Sequence, residues 1–215
     1  ILALLRARAA QRPEHPAFDI PHGGIVTYAQ LCAEVEAIAG ALHATTASSA
    51  ATPPRIAIVL PNGREMSTAL LGVTLVGTAL PFNPAYTEAE FEAYFAETGI
   101  TALLTQASTS PAAEAVARRT GLRTLLLEEL QGSNNPRELT PPPGNQTALV
   151  LLTSGSTGRA KRVPLSHTNV CTSARDVARS LALTPQDRCL SMWEQFHVGG
   201  LVDLLLAPLH SGGTI

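Results

Sequence analysis

From Thr153 to Lys161 the chain reads Thr-Ser-Gly-Ser-Thr-Gly-Arg-Ala-Lys. Gly155 and Gly158 permit backbone conformations closed to residues with a Cβ, and such turns can aim successive N–H groups at one anion. Thr153, Ser154, Ser156 and Thr157 add hydroxyl donors, and Lys161 adds a mobile positive charge. Together these groups suit a polyphosphate. A solvated Ser/Gly loop without a ligand is the alternative, and the apolar run before the loop and the lysine after it weigh against that. The spacing is not that of a Walker loop, which needs Gly-Lys-Ser/Thr in succession, because Lys161 stands three residues past Gly158. Nor is it the Gly-x-Ser-x-Gly elbow of hydrolases, because Ser156 follows Gly155 directly.

The other chemistry-bearing residues are weaker candidates. His197 follows Phe196, and on local sequence alone a lone histidine beside an aromatic reads as structural. His167 falls at a helix start, where the helix dipole disfavours an imidazolium, so it is expected to support the loop structurally. Glu34 and Glu36 face different ways on a helix, and Glu128-Glu129 is expected to end a strand at the surface. No carboxylate pair for general acid–base work results. Cys32, Cys171 and Cys189 have neither metal-ligand nor disulfide-framework spacing. Reduced cysteines in a cytoplasmic protein are the simplest reading.

The loop must be carried by regular elements. Residues 147–152, Thr-Ala-Leu-Val-Leu-Leu, form a buried strand running straight into it. Beyond it Ser166 is a plausible N-cap for a helix to about Arg179. Upstream, residues 55–60 read as a buried strand closed by the turn Pro61-Asn62-Gly63. A helix over 64–76 and a short strand over 79–82 follow. Thr87 with Glu90 three residues on forms a capping box, with Phe91, Tyr94 and Phe95 on one face of the helix it opens. Gly99 ends that helix. Strands over 101–105 and 122–127 flank a helix over 111–120. This alternation predicts an α/β fold of mostly parallel sheet flanked by helices. Residues 1–130 are expected to form a first α/β subdomain. Residues 131–146, with Asn134-Asn135-Pro136 and Pro141-Pro142-Pro143-Gly144, read as a crossing, and 147–215 as the start of a second subdomain holding the loop.

Composition narrows the function classes. The 215 residues are 45% hydrophobic and only 15% charged, against about 25% charged in an average domain. Such thin charge suggests that part of the surface is normally covered, by a partner or by more of the same polypeptide. The net charge is −2 and no basic tract occurs, so no nucleic-acid partner is expected. The apolar stretches over 69–82 and 198–209 are too short or too interrupted for a membrane span. Residues 1–10 read as an amphipathic helix joined within a longer chain rather than as a signal peptide.

The segment from Thr153 to Lys161 resembles the phosphate loop of the adenylate-forming superfamily, which includes acyl-CoA synthetases, luciferases and the adenylation domains of peptide synthetases. The usual loop reads Thr-Ser-Gly-Thr/Ser-Thr-Gly-x-Pro-Lys-Gly; here Ala160 replaces the proline and Arg162 the final glycine. Thr27-Tyr28-Ala-Gln-Leu31, the run from Leu71 to Pro84, and Phe196-His197-Val-Gly199-Gly200 are similar to three further signatures in the family's order. Trp193-Glu194-Gln195 replaces a Pro-Leu-type lead-in. The resemblance implies an N-terminal part of an enzyme that joins a small carboxylic acid to AMP at the expense of ATP and Mg2+. The acyl group then passes to the thiol of CoA or of a carrier-protein phosphopantetheine. It also implies that Thr153, Ser154, Gly155, Ser156, Thr157, Gly158 and Lys161 bind ATP and that His197 lines the reactive site. The superfamily's adenine, ribose and C-terminal lysine groups are not found in these residues, so the chain is expected to need the missing C-terminal portion of the same polypeptide. A non-catalytic segment of a megasynthase and an unrelated nucleotide hydrolase remain as alternatives.

Overall fold

Apolar runs short enough for strands alternate along this chain with stretches of helical period, and in the computed structural model they fold as that alternation requires. Residues 1–46, 52–132, 139–153 and 161–215 are described. The elements are α1 (Leu2–Gln11), the hairpin β1 (Pro16–Ile20) and β2 (Gly24–Thr27), α2 (Tyr28–Thr46), β3 (Arg55–Val59) and α3 (Arg64–Thr74). They continue with β4 (Thr78–Pro81), α4 (Glu88–Thr98), β5 (Ala102–Thr105), α5 (Pro111–Thr120), β6 (Arg123–Leu126) and α6 (Leu127–Gln131). Last come β7 (Thr147–Thr153), β8 (Lys161–Ser166), α7 (His167–Ser180), a π-helix (Gly199–Leu206) and α8 (Ala207–Ser211).

Six strands share one sheet in the order β6-β5-β3-β4-β7-β8. All neighbours are parallel except β7 and β8. Because strand side chains alternate between faces, the inner strands feed two cores. Ile56, Ile58, Leu104 and Leu149 join the layer formed with α2, α3 and α7. Ala57, Val59, Leu103 and Val150 join Phe91 and Phe95 of α4 and Val116 of α5 on the other face. Both faces are covered, which is why these strands read as continuous apolar runs.

The local signals hold in detail. Thr87 and Glu90 form the reciprocal capping box, and Gly99 closes α4 in the left-handed conformation at φ 61°. Two short elements depart from the sequence expectation. Glu128 and Glu129 lie on α6 rather than at a strand end, and residues 161–166 form β8. Pro164 lies on that strand opposite Val150, which is possible because β8 is the sheet edge and its proline need not donate to a further strand.

The stretch 131–146, of which 133–138 lie outside the described residues, leads from α6 to β7. Since β7 pairs with β4, strands from both sides of the stretch belong to one sheet. Hydrogen bonds also join residues 213–215 to β1 and the start of α2. The Asp19 N–H donates to the Ile215 carbonyl at 2.7 Å and the Ile215 N–H to the Ala17 carbonyl at 2.9 Å. The buried Tyr28 hydroxyl donates to the Gly213 carbonyl at 2.7 Å.

Candidate functional site

β7 delivers Thr153 to the carboxyl edge of the sheet, and β8 returns from that edge starting at Lys161. The two residues are register partners across the antiparallel pair, and both are exposed. Ser154, Gly155, Ser156, Thr157 and Gly158 lie outside the described residues. The two ends of that segment are therefore held side by side, with a threonine and a lysine as partners at its base. The exit is tied down further: the Arg162 guanidinium Nη1 donates to the Glu97 carbonyl at 2.6 Å, near the C-terminus of α4, where a cation suits the helix dipole. Ser166 then caps α7 through a reciprocal pair with Asn169.

His167, the first residue of α7, is buried. Burial pulls its imidazole down to about 4, aided by the positive amino end of the chain and opposed by a hydrogen bond with the Thr74 backbone. At neutral pH it is uncharged, at the junction where β8 ends and α7 begins.

His197 stands in a turn between residue 193 and the π-helix. Its ring is exposed and tilted against Phe196 at a centroid separation of 4.6 Å. Leu190, Met192, Trp193 and Val198 around it are each more than half exposed. The turn is held from below. The Gln195 N–H donates to Asn62 Oδ1 at 2.9 Å and its Nε2 to Ser67 Oγ at 2.7 Å. Asn62 Nδ2 in turn donates to the Trp193 carbonyl at 3.3 Å. Gly200 is required by close approach, since a Cβ there would lie 2.2 Å from the Glu194 carbonyl oxygen.

Asn62 stands in the turn that follows β3, and β3 runs parallel to β4, which runs parallel to β7. The histidine turn, anchored beyond β3, and the loop base at the end of β7 thus belong to the same carboxyl edge, and those two strands are two spacings apart, about 10 Å, in the sheet. In open α/β sheets ligands bind outside the carboxyl ends of the strands. The donors at the loop base, hydroxyl and ammonium, suit an anion. Among the described residues no group of three or more His, Cys, Asp or Glu side chains could hold a metal, and no helix is long and apolar enough to cross a membrane.

Sequence reasoning missed Asn62, Ser67 and Gln195. Pro61-Asn62-Gly63 read only as a turn, and Gln195 stood out only as a departure within the lead-in to Phe196.

Residues 5–215 match the family of AMP-binding enzymes. The chain belongs to that family. Its resemblance to the N-terminal part of adenylate-forming enzymes therefore holds over nearly all of its length. Among AMP-binding relatives, the sulfoacetate–CoA ligase of Cupriavidus necator is 28% identical over 227 residues, covering 100% of this chain and 44% of that protein. O-Succinylbenzoate coenzyme A synthetase from Bacillus subtilis, solved in complex with AMP, matches at a TM-score of 0.85 and 29% identity over 98% of this chain and 54% of that one. The inhibitor-bound N-terminal domain of FACL13 from Mycobacterium tuberculosis shares the fold at a TM-score of 0.86 and 24% identity, with 100% of this chain and 56% of that one covered. This AMP-binding chain thus spans about half the length of proteins it matches, or less.

Proposed function

We propose that the polypeptide containing this chain is an ATP-dependent acid–thiol ligase. A carboxylate oxygen of a small organic acid attacks the α-phosphorus of ATP, pyrophosphate leaves, and an acyl-adenylate forms. A thiol then attacks the acyl carbon and AMP departs. CoA is the favoured acceptor, because the relatives named above include CoA ligases; a carrier-protein phosphopantetheine is the other candidate. The observation that carries this reading is the pairing of Thr153 with Lys161 at the carboxyl edge of the sheet, in a chain of the AMP-binding family.

Within that reaction the chain's own groups bind and orient. Lys161 offsets charge on the pyrophosphate portion, and Thr153, Ser154, Ser156 and Thr157 donate hydroxyls to its oxygens. Gly155 and Gly158 let the loop's N–H groups point the same way. Transfers at phosphorus depend on such positioning and charge neutralisation more than on covalent help. His197, with Phe196, lines the place where the carboxylate arrives. Mg2+, when bound, supplies further charge neutralisation on phosphate oxygens; the donor-rich loop base suits the anion and not the cation, so no metal ligand is assigned to this chain. The division into a first unit over 1–130 and a second from 147, a cytoplasmic setting, and a need for further residues of the same polypeptide belong to this reading.

The test is carboxylate-dependent exchange of pyrophosphate into ATP by the full-length polypeptide, with a panel of small acids and with CoA or a loaded carrier protein as acceptor. Exchange that needs an acid and is lost on replacing Lys161 and its hydroxyl neighbours supports the assignment. ATP hydrolysis indifferent to any acid overturns it.

A further inference from the structure

We propose that Gln195 is a positioning residue, holding the Phe196-His197 turn at the carboxyl edge of the sheet and thereby setting the site for the incoming carboxylate; this rests on the role given to His197 above. Gln195 is only 2% exposed, an uncommon place for a glutamine. Its Nε2 donates to Ser67 Oγ, and that hydroxyl donates onward to the Gly63 carbonyl at 2.9 Å. The order of donors fixes which way the amide points. The backbone N–H of Gln195 and the carbonyl of Trp193 are both taken by the one Asn62 side chain. The turn after β3 therefore grips the segment 193–195 at two points, immediately before Phe196 and His197.

The cost of this arrangement is what points to function. Gln195 Oε1 is buried and has no hydrogen-bond partner among the described residues. An unsatisfied buried acceptor is destabilising, and an apolar side chain of the same shape is tolerated or preferred where packing alone is at stake. A methionine here would fill the same space without the penalty. What it would lack is the directional link to Ser67 that orients the residues following it. His197 itself has an exposed ring, so its placement depends on its backbone neighbours rather than on being packed in.

The experiment uses the full-length polypeptide and four variants: Gln195→Met, Ser67→Ala, His197→Ala and the pair Gln195→Met/His197→Ala. Gln195→Met is expected to raise the KM for the carboxylate roughly tenfold, leaving the KM for ATP within about twofold and the melting temperature unchanged or higher. Ser67→Ala moves the same constant in the same direction. In the His197→Ala background the Gln195 change has little further effect, because residues acting as a unit are non-additive. Wild-type behaviour of Gln195→Met, an equal shift in both KM values, or losses that add fully in the pair would each overturn the proposal. If His197→Ala alone leaves exchange untouched, the reading of His197 fails and Gln195 has nothing to position. If no exchange occurs with any acid, the functional reading fails. Amide hydrogen exchange then decides the link by itself: faster exchange confined to residues 193–198 in Gln195→Met upholds it, and unchanged exchange removes it.

Discussion

Thr153 and Lys161 stand opposite each other as partners in an antiparallel ladder, so the residues between them form a loop whose two ends cannot drift apart. The lysine at its foot is exposed.

Replacing Lys161 with alanine in the full-length polypeptide should weaken ATP binding by about 10- to 100-fold, the worth of one hydrogen bond to a charged group. Titration calorimetry with ATP measures it, and the melting temperature without nucleotide should stay within a degree or so of wild type. Lys161→Arg should retain much of the affinity.

Gly200→Ala should destabilise the region around His197. The new Cβ would meet the Glu194 carbonyl at 2.2 Å and the Trp193 carbonyl at 2.8 Å, both backbone atoms that cannot rotate away. A loss of about 1–3 kcal/mol is expected, seen as a melting shift of about 2–4 °C for each kcal/mol at this chain size.

His167 makes stability depend on acid. Its folded value, about 4, lies below the ordinary value of 6.5. Above pH 6.5 neither folded nor unfolded chain carries the proton, and there is no linkage. As pH falls from 6.5 the unfolded chain takes up a proton that the folded chain refuses, so stability drops until the folded value is reached. The loss should be at most about 3 kcal/mol. Urea unfolding at pH 7 and pH 4.5 checks this, and His167→Gln should flatten that part of the dependence.

The 215 residues alone should show no carboxylate-dependent pyrophosphate exchange, while the full-length polypeptide does. The chain spans 44% of the curated ligase it matches. Adding the purified remainder in trans, and finding exchange restored, would be the positive control.

Legibility in the sequence followed the range of each interaction. The capping box at Thr87, the stop at Gly99 and the strand preceding the loop are set by residues within a few positions of each other, and could be read directly. β8 was obscured because Pro164 argues against a strand until its edge position is known. α6 is five residues long, too short for a helical period to show. The π-helix is nearly all apolar and shows no face. The grip of Asn62 on Gln195 joins positions 133 residues apart, and no local pattern encodes it. For the loop itself, composition and order pointed to phosphate, while the fixed pairing of its ends came only from the ladder.

The contacts of Gly213 and Ile215 have a practical consequence. Tyr28 delivers its buried hydroxyl to one and β1 pairs with the other, so residues 213–215 serve as a clasp for the hairpin of β1 and β2. Removing one of these contacts, as in Tyr28→Phe, should loosen the amino-terminal hairpin.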